Sequence, residues 1–314
     1  MYLVTGGGGF IGSHLVRTLV QRGKQVRVLE NSSSGSRERL TDILKDIEWV
    51  DGDLRDSDTL RKVCQGVEVI FHQAAIASVS RSIAEPEMTH ATNVTGTLNL
   101  LLAARDAGAR RVVFASSSAV YGNLPATPKS ETMPVQPLSP YAVQKLAAES
   151  YCRIWHALYG LETVALRYFN VFGPAQNPQS AYAAVIPRFI SAVLEGRTPV
   201  VYGDGEQSRD FIYVSDVVES NLLAAAIPEA TGQVINIGTG KKTTINHLLA
   251  ELERLIERPI HPRYKAPRPG DVRESLADIS LMRAILGYEP AISFAEGLAL
   301  TFRAFEAQLH IRSV

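Results

Sequence analysis

The sequence predicts an α/β fold: a doubly wound parallel sheet with a smaller mixed α/β lobe appended to it. Three observations carry this expectation. Short apolar runs alternate with helical periodicities through the first half of the chain, a glycine string separates the first run from the first helix, and the alternation breaks after Arg167. Leu3-Val4, Val26 to Leu29, Ile47 to Val50, Val67 to Phe71, Arg111 to Ala115 and Thr163 to Leu166 read as strands. Helical patterns such as Ile11–Gln21 and Asn93–Ala107 lie between them. Strands alternating with helices require right-handed crossovers, and hence a parallel sheet. Six such strands match a doubly wound (Rossmann) nucleotide fold.

Beyond Arg167 the segment from Asn170 to Ala181 reads as a loop, with Gly173, Pro174, Asn177 and Pro178 inside it. A helix is expected from Ala184 to Glu195, strands at Val200–Tyr202, Phe211–Val214 and Val234–Ile237, and helices at Ser215–Ala226, Ile245–Glu257, Ile279–Leu286 and Phe294–Gln308. The two lobes interleave: residues 1–168 and 210–240 are assigned to the sheet domain, and 169–209 and 241–314 to the second lobe.

Bulk properties exclude several functions. A chain of 314 residues is too long for one small core, and 46% apolar with 20% charged residues is ordinary globular usage. Lys+Arg and Asp+Glu are 32 each, so no basic field exists to collect nucleic acid. Two cysteines, Cys64 and Cys152, cannot form a disulfide framework, and no Cys/His spacing resembles a metal site. No cationic signal segment precedes Tyr2, and no apolar run reaches the roughly 18 residues of a membrane span. A cytoplasmic protein without membrane contact is expected.

Thr5-Gly6-Gly7-Gly8-Gly9-Phe10-Ile11-Gly12 follows the first strand and opens the first helix. Glycine lets the backbone turn tightly and approach a pyrophosphate, and the helix N-terminus offers N–H groups and a positive dipole end to phosphate. The position of this string, more than its composition, marks a dinucleotide site. Glu30 ends the second strand, where a carboxylate accepts both ribose hydroxyls of NAD and repels the 2′-phosphate of NADP, a repulsion that Arg37 and Arg39 could offset. Asp53-Leu54, after the third strand, is placed to meet the adenine; a turn aspartate is the plainer alternative.

Tyr141 and Lys145 are four residues apart at the start of a helix and share one face. A free phenol is a poor base at neutral pH; an adjacent ammonium and the positive nicotinamide of an oxidised cofactor favour its phenolate. The lysine can also hold the nicotinamide ribose. Ser116-Ser117-Ser118 follow the fifth strand, at the carboxyl edge where doubly wound folds place ligands. Ser117 is the first choice to bond both substrate and Tyr141, and Ser118 the second.

With these residues in view, the chain resembles the extended short-chain dehydrogenases/reductases, in particular the NAD-dependent sugar-nucleotide epimerase/dehydratase family. The resemblance runs through nearly the whole chain. It includes Thr5–Gly12, Gly52-Asp53-Leu54, His72-Gln73-Ala74-Ala75, Asn93, Ser116–Gly122, Tyr141–Lys145, Arg167–Pro174, Gly203-Asp204-Gly205 and Arg209–Asp216. Its departures are small: Gly8 stands where alanine is common, and Glu30 where aspartate is common. The resemblance implies an NAD site formed by Gly6, Gly9, Phe10, Ile11, Gly12, Glu30, Asn31, Asp53, Leu54, Gln73, Ala74, Ala75, Asn93, Ser116, Tyr141, Lys145 and Tyr168. It implies Tyr141, Lys145 and Ser117 as catalytic residues, and a homodimer formed through the helices around Asn93–Ala107 and Tyr141–Tyr159.

It also implies a UDP-sugar substrate. Ser117, Ser118 and Tyr141 would meet the sugar. Asn170, Arg209 and Arg268 would hold the phosphates, Tyr202 would stack on the base, Ala184 and Val185 would pass beside the uridine, and Asp271 would bind its ribose. The arginines suit phosphate because a planar guanidinium gives paired, charge-assisted bonds. Family dehydratases carry Asp-Glu directly after the Ser/Thr, and decarboxylases a glutamate at the second of these positions. Here those positions are Ser118 and Ala119, so a 4-epimerase of UDP-hexoses is expected. Ser275 stands where a bulky tyrosine often restricts the site to glucose and galactose; serine leaves room for a 2-acetamido group and so for UDP-GlcNAc/UDP-GalNAc. The alternatives are a decarboxylase, dehydratase or other epimerase of a nucleotide sugar and, more distantly, a non-catalytic NAD-binding regulator. A regulator of that kind typically loses the Tyr or the Lys, and both are present.

Overall fold

The computed structural model describes residues 1–125, 127–177, 184–267 and 272–312. In chain order its strands are β1 (Tyr2–Thr5), β2 (Val26–Glu30), β3 (Ile47–Asp51), β4 (Val69–His72), β5 (Arg111–Ser117), β6 (Glu162–Tyr168), β7 (Asn170–Phe172), β8 (Val200–Tyr202), β9 (Ser208–Arg209), β10 (Phe211–Tyr213), β11 (Val234–Ile237), β12 (Thr243–Thr244), β13 (Arg263–Lys265) and β14 (Glu274–Ser275). The helices are α1 (Phe10–Gln21), α2 (Ser57–Val63), α3 (Val79–Ala84), α4 (Pro86–His90), α5 (Gly96–Asp106), α6 (Pro140–Tyr159), α7 (Val185–Leu194), α8 (Val214–Ala226), α9 (Ile245–Ile256) and α10 (Phe294–Arg312). A π-turn over Ala91–Thr95 runs into α5.

Seven parallel strands form the main sheet in the order β11-β6-β5-β4-β1-β2-β3. Six of them are the expected strands in doubly wound order. The seventh, β11, comes from the second half of the chain and joins the sheet at its edge beside β6. The chain winds outward from β1 to β3 and then crosses to β4, so the switch point lies between β1 and β4, directly above the glycine turn. Successive strand residues enter opposite cores. Val4, Phe71 and Val113 face the layer with α1 and α8, whereas Leu3, Ile70 and Val112 face the layer with α2, α5 and α6. Both faces are therefore apolar, as parallel sheets require.

The second lobe has its own core, built on Phe172, Phe189, Phe211, Leu248 and Phe302 from β7, α7, β10, α9 and α10. Its sheets are small: β10 pairs with β7, β12-β9-β14 form a ribbon, and β13 pairs with β8. The loop expected over Asn170–Ala181 is corrected at its start. Asn170–Phe172 is a strand, because its backbone pairs in parallel with Phe211–Tyr213. The helix expected over Ile279–Leu286 is present from Ser280, and its final part, Met282–Leu286, is a π-turn.

Candidate active site

The glycine turn is built by close backbone approach. Gly6 has φ +69°, and a Cβ there would stand 2.7 Å from the backbone of Ala74. A Cβ on Gly12 would stand 2.1 Å from the carbonyl oxygen of Gly6, so any side chain would break the turn. Gly9 caps α1 in extended geometry, no side chain caps that end, and no acidic residue occupies its first turn. Phe10 and Ile11 open the helix. This open, positive helix end behind a cradle that a Cβ would fill suits a pyrophosphate; the residues present fit NAD.

On the second-strand side of the site, the expected residues are already engaged with their neighbours. The Glu30 carboxylate is buried and accepts three backbone N–H groups: Gly8 at 3.0 Å, and Asn31 and Ser32 at 3.1 Å. A carboxylate offers about four lone-pair sites. Three are taken by these backbone donors, which hold the carboxylate in place. Burial raises its pKa; the three N–H groups and Arg39 oppose the rise. Arg39 donates to Gly8 O at 2.8 Å, while Arg37 lies over Trp49. Asp53 is also occupied: Arg55 and the Asn31 amide bind its carboxylate and hold its pKa well below the usual range. Leu54 is buried against Gly96.

Around β4 several expected cofactor residues serve one another. Asn93 accepts the Ile76 N–H at 2.8 Å and donates to Ile76 O and to Gln144, so its amide holds the Ala74–Ile76 loop in place. The Gln73 amide donates to the Tyr168 hydroxyl and to Asn221, and burial raises the Tyr168 pKa to about 12. Asn221 carried no signal in the sequence. Neither did the chain through His72. Thr97 donates to Asn93 O at 2.7 Å, so its oxygen accepts His72 Nε2–H at 2.9 Å, and Thr5 Oγ1 bonds Nδ1 at 2.8 Å. Burial lowers the pKa of the ring to about 3, which keeps it neutral at ordinary pH, with Nδ1 accepting from Thr5.

The chemistry sits at the carboxyl end of β5. Ser139 caps α6 by accepting the Ala142 N–H, Pro140 occupies its first turn, and the Tyr141 N–H donates to Ser82 Oγ at 3.0 Å. Tyr141 and Lys145 share one face, with Lys145 Nζ 6.0 Å from the Tyr141 ring centre. The ammonium is buried over the Phe114 ring and donates to Ala115 O at 2.7 Å; burial lowers its pKa to about 8. Burial also raises the Tyr141 pKa, and a hydrogen bond with Ser117 opposes that rise. Without the nicotinamide charge, removing the phenolate from water outweighs the help of Ser117. Ser117 also accepts the Ala119 N–H, opening a single turn over Ser118–Tyr121. Ser116 points the other way: it donates to Glu149, whose carboxylate pairs with Arg167 inside the protein. That buried pair ties β5 and β6 to α6.

In the second lobe, Asn170, Arg209 and Ser275 are brought together across paired strands. Ser275 lies opposite Arg209, and Asn170 opposite Phe211. Residue 210 joins them: Asn170 N–H donates to Asp210 O at 2.9 Å and Asp210 N–H to Ser275 O at 2.8 Å. The Asp210 carboxylate accepts from Thr239, Gly240 and Ala277. Tyr202 lines a cavity of about 430 Å³ with Gly203, Asp204, Gln207, Lys265 and Arg273, and Arg273 pairs with Asp204 through both oxygens. Ala184 and Val185 open α7. Arg268 and Asp271 lie outside the described residues. Among the described residues no His/Cys/Asp/Glu group could hold a metal ion, and no helix is long and apolar enough to cross a membrane.

Comparison with known proteins agrees with this architecture. A model of the NAD dependent epimerase/dehydratase family matches residues 2–238. The UDP-glucose 4-epimerase of Mycolicibacterium smegmatis is 41% identical over 96% of this chain and 97% of its own. The UDP-N-acetylglucosamine 4-epimerase of Methanobrevibacter ruminantium, solved with UDP-N-acetylmuramic acid, is 44% identical, covers 98% of both chains and superposes with a TM-score of 0.94. The UDP-glucose 4-epimerase of Thermotoga maritima, solved with UDP-glucose, is 39% identical over 98% of this chain and 99% of its own, also with a TM-score of 0.94. The chain belongs to the NAD-dependent epimerase/dehydratase family of extended short-chain dehydrogenases/reductases.

Proposed function

We propose that the chain is an NAD-dependent 4-epimerase of UDP-hexoses, with UDP-GlcNAc/UDP-GalNAc among its substrates beside UDP-Glc/UDP-Gal. The observation that carries this is the end of β5: the Ser117 hydroxyl lies beside the Tyr141 phenol and lowers its pKa, and the next two residues are Ser118 and Ala119. NAD, when bound, supplies a hydride acceptor that later returns the same hydride. Tyr141 takes the proton from the sugar 4-hydroxyl while Ser117 bonds the same oxygen, and Lys145 holds the nicotinamide ribose and adds positive charge. The resulting 4-keto sugar has no carboxylate at residues 118–119 to drive elimination or assist loss of a carboxyl group. It turns over and is reduced on its other face, and Tyr141 returns the proton. Asn170, Arg209 and Arg268 hold the diphosphate, Tyr202 stacks on the base, and Asp271 binds its ribose.

The test is incubation with UDP-GlcNAc, UDP-Gal and UDP-glucuronate and identification of products by NMR. Interconversion of 4-epimers is expected; release of CO₂ or a 6-deoxy product would overturn it. Tyr141→Phe should cut turnover by roughly 10²–10⁴-fold and keep NAD. Ser275→Tyr should lose activity on the acetylated pair and retain it on UDP-Glc/UDP-Gal; unchanged activity on UDP-GlcNAc removes Ser275 as the gatekeeper.

A homodimer is part of the same reading. Val143, Ile154 and Leu158 leave an exposed apolar stripe along α6, at the spacing of one helix face. Light scattering should give the mass of two chains; one chain would overturn it. A cytoplasmic location is supported by two free, buried cysteine thiols, Cys64 and Cys152. Cell fractionation that finds the protein outside the cytosol would exclude it.

A further inference from the structure

The Glu30 carboxylate occupies a seat that exists because two neighbours lack a Cβ. A Cβ on Gly8 would stand 3.1 Å from Cγ and Oε2 of Glu30 and equally close to the Ser36 backbone nitrogen. A Cβ on Gly35 would stand 2.4 Å from Oε2 and 2.8 Å from the carbonyl carbon of Gly8. Neither glycine is among those with positive φ, so both positions demand space and not a special backbone. The glutamate cannot swing clear at no cost, because the N–H groups of Gly8, Asn31 and Ser32 all end on it. The Gly8 carbonyl is held from the other side by the Ser36 N–H at 2.9 Å and by Arg39 at 2.8 Å.

We propose that Gly8 and Gly35 are specificity-determining residues of the dinucleotide site, fixing where the Glu30 carboxylate meets the ribose 2′-hydroxyl and excludes a 2′-phosphate. The proposal rests on the reading of the chain as an NAD enzyme. Gly8 and Glu30 form a matched pair. Shortening the side chain to aspartate at position 30 withdraws Oε2 from a Cβ at position 8 while Cγ and the Ser36 backbone nitrogen stay, so it relieves part of the crowding. Gly35 is matched less well, because its Cβ would still stand 2.8 Å from the Gly8 carbonyl carbon, closer than the 3.1 Å left between a Cβ on Gly8 and the Ser36 nitrogen.

The experiment is calorimetric titration of NAD and NADP into the full chain and into Gly8→Ala, Glu30→Asp, the Gly8→Ala/Glu30→Asp double variant, Gly35→Ala and Gly35→Ala/Glu30→Asp. Circular dichroism checks the fold of each. Gly8→Ala and Glu30→Asp should each raise the Kd for NAD about tenfold, the factor worth about 1.4 kcal/mol. The Gly8→Ala/Glu30→Asp variant should bind NAD more tightly than either single variant, whereas Glu30→Asp should not rescue Gly35→Ala. Single effects that simply multiply, or an unchanged Kd in Gly8→Ala, would overturn the pairing. Should Gly8→Ala fail to fold, Glu30→Asp must restore a folded, NAD-binding chain; a double variant that stays unfolded also overturns it. Unmodified protein that binds no NAD would instead overturn the NAD-enzyme reading, before any variant is compared.

Discussion

Tyr141 is not poised as a base by the protein alone. Its phenol is pushed above the ordinary value by burial, and Ser117 is the neighbour that pulls it back. Lys145 spends its one close hydrogen bond on Ala115 O and lies over Phe114. In the proposed function, the positive charge that would favour the phenolate comes with the oxidised nicotinamide, which would couple deprotonation to cofactor binding. Ser117→Ala removes the bond that lowers the tyrosine pKa, so the acid limb of the rate profile should move to higher pH. Its deficit should be roughly tenfold or more near neutrality, within the range expected of a lost acid–base contact, and should shrink as pH rises toward the phenol pKa. A kcat/KM profile against pH checks this; a deficit constant across pH would mean that Ser117 only positions substrate. The four-residue spacing of Tyr141 and Lys145 was readable because helical geometry puts i and i+4 on one face. The lysine's own partner was not readable, because it is a backbone carbonyl on a strand 30 residues earlier.

At the scale of elements, the parallel strands were legible because burial on both faces makes each a continuous apolar run. Of the strands of two or three residues, β8 and β10 were legible as apolar runs, whereas β7, β9, β12, β13 and β14 were not, because their pairing is set by distant segments. The glycine turn was legible as a string, yet the contact between Gly8 and Glu30 joins two elements and cannot be seen in either. The ends of β1 and β4 are stitched by Thr5, His72 and Thr97, and this stitch carries a pH dependence. The folded His72 pKa of about 3 lies below its ordinary 6.5. The unfolded chain therefore takes up the proton first, and stability is present above pH 6.5 and lost as pH falls toward 3. This residue should contribute a slope of about 1.4 kcal/mol per pH unit across that window. Urea unfolding between pH 7 and 4 measures it, and His72→Asn should flatten the curve by that amount. An unaltered slope would place the acid sensitivity elsewhere.

Across the whole molecule, the two lobes meet where the ligands must meet. The glycine turn, Ser117 and Tyr141 lie at the carboxyl edge of the main sheet, while Asn170, Arg209 and Ser275 come from three short strands of the second lobe. Asp210 joins that trio to the loop after β11, which is itself a strand of the main sheet. Burial raises its pKa, and the hydrogen bonds of Thr239, Ala277 and Gly240 oppose the rise. Asp210→Asn turns one acceptor oxygen into a donor amide facing donors. Each buried donor left unpaired costs about 1–3 kcal/mol, so a clear drop in thermal midpoint is expected. The functional consequence should be lopsided. NAD affinity depends on the glycine turn and should stay within about threefold, whereas a loosened trio should raise KM for the UDP-sugar by about tenfold or more, with a smaller change in kcat, the pattern of lost substrate binding. Calorimetry with NAD beside steady-state kinetics separates the two. An equal loss of NAD and sugar affinity would show that Asp210 supports the fold as a whole and not the seam between the lobes.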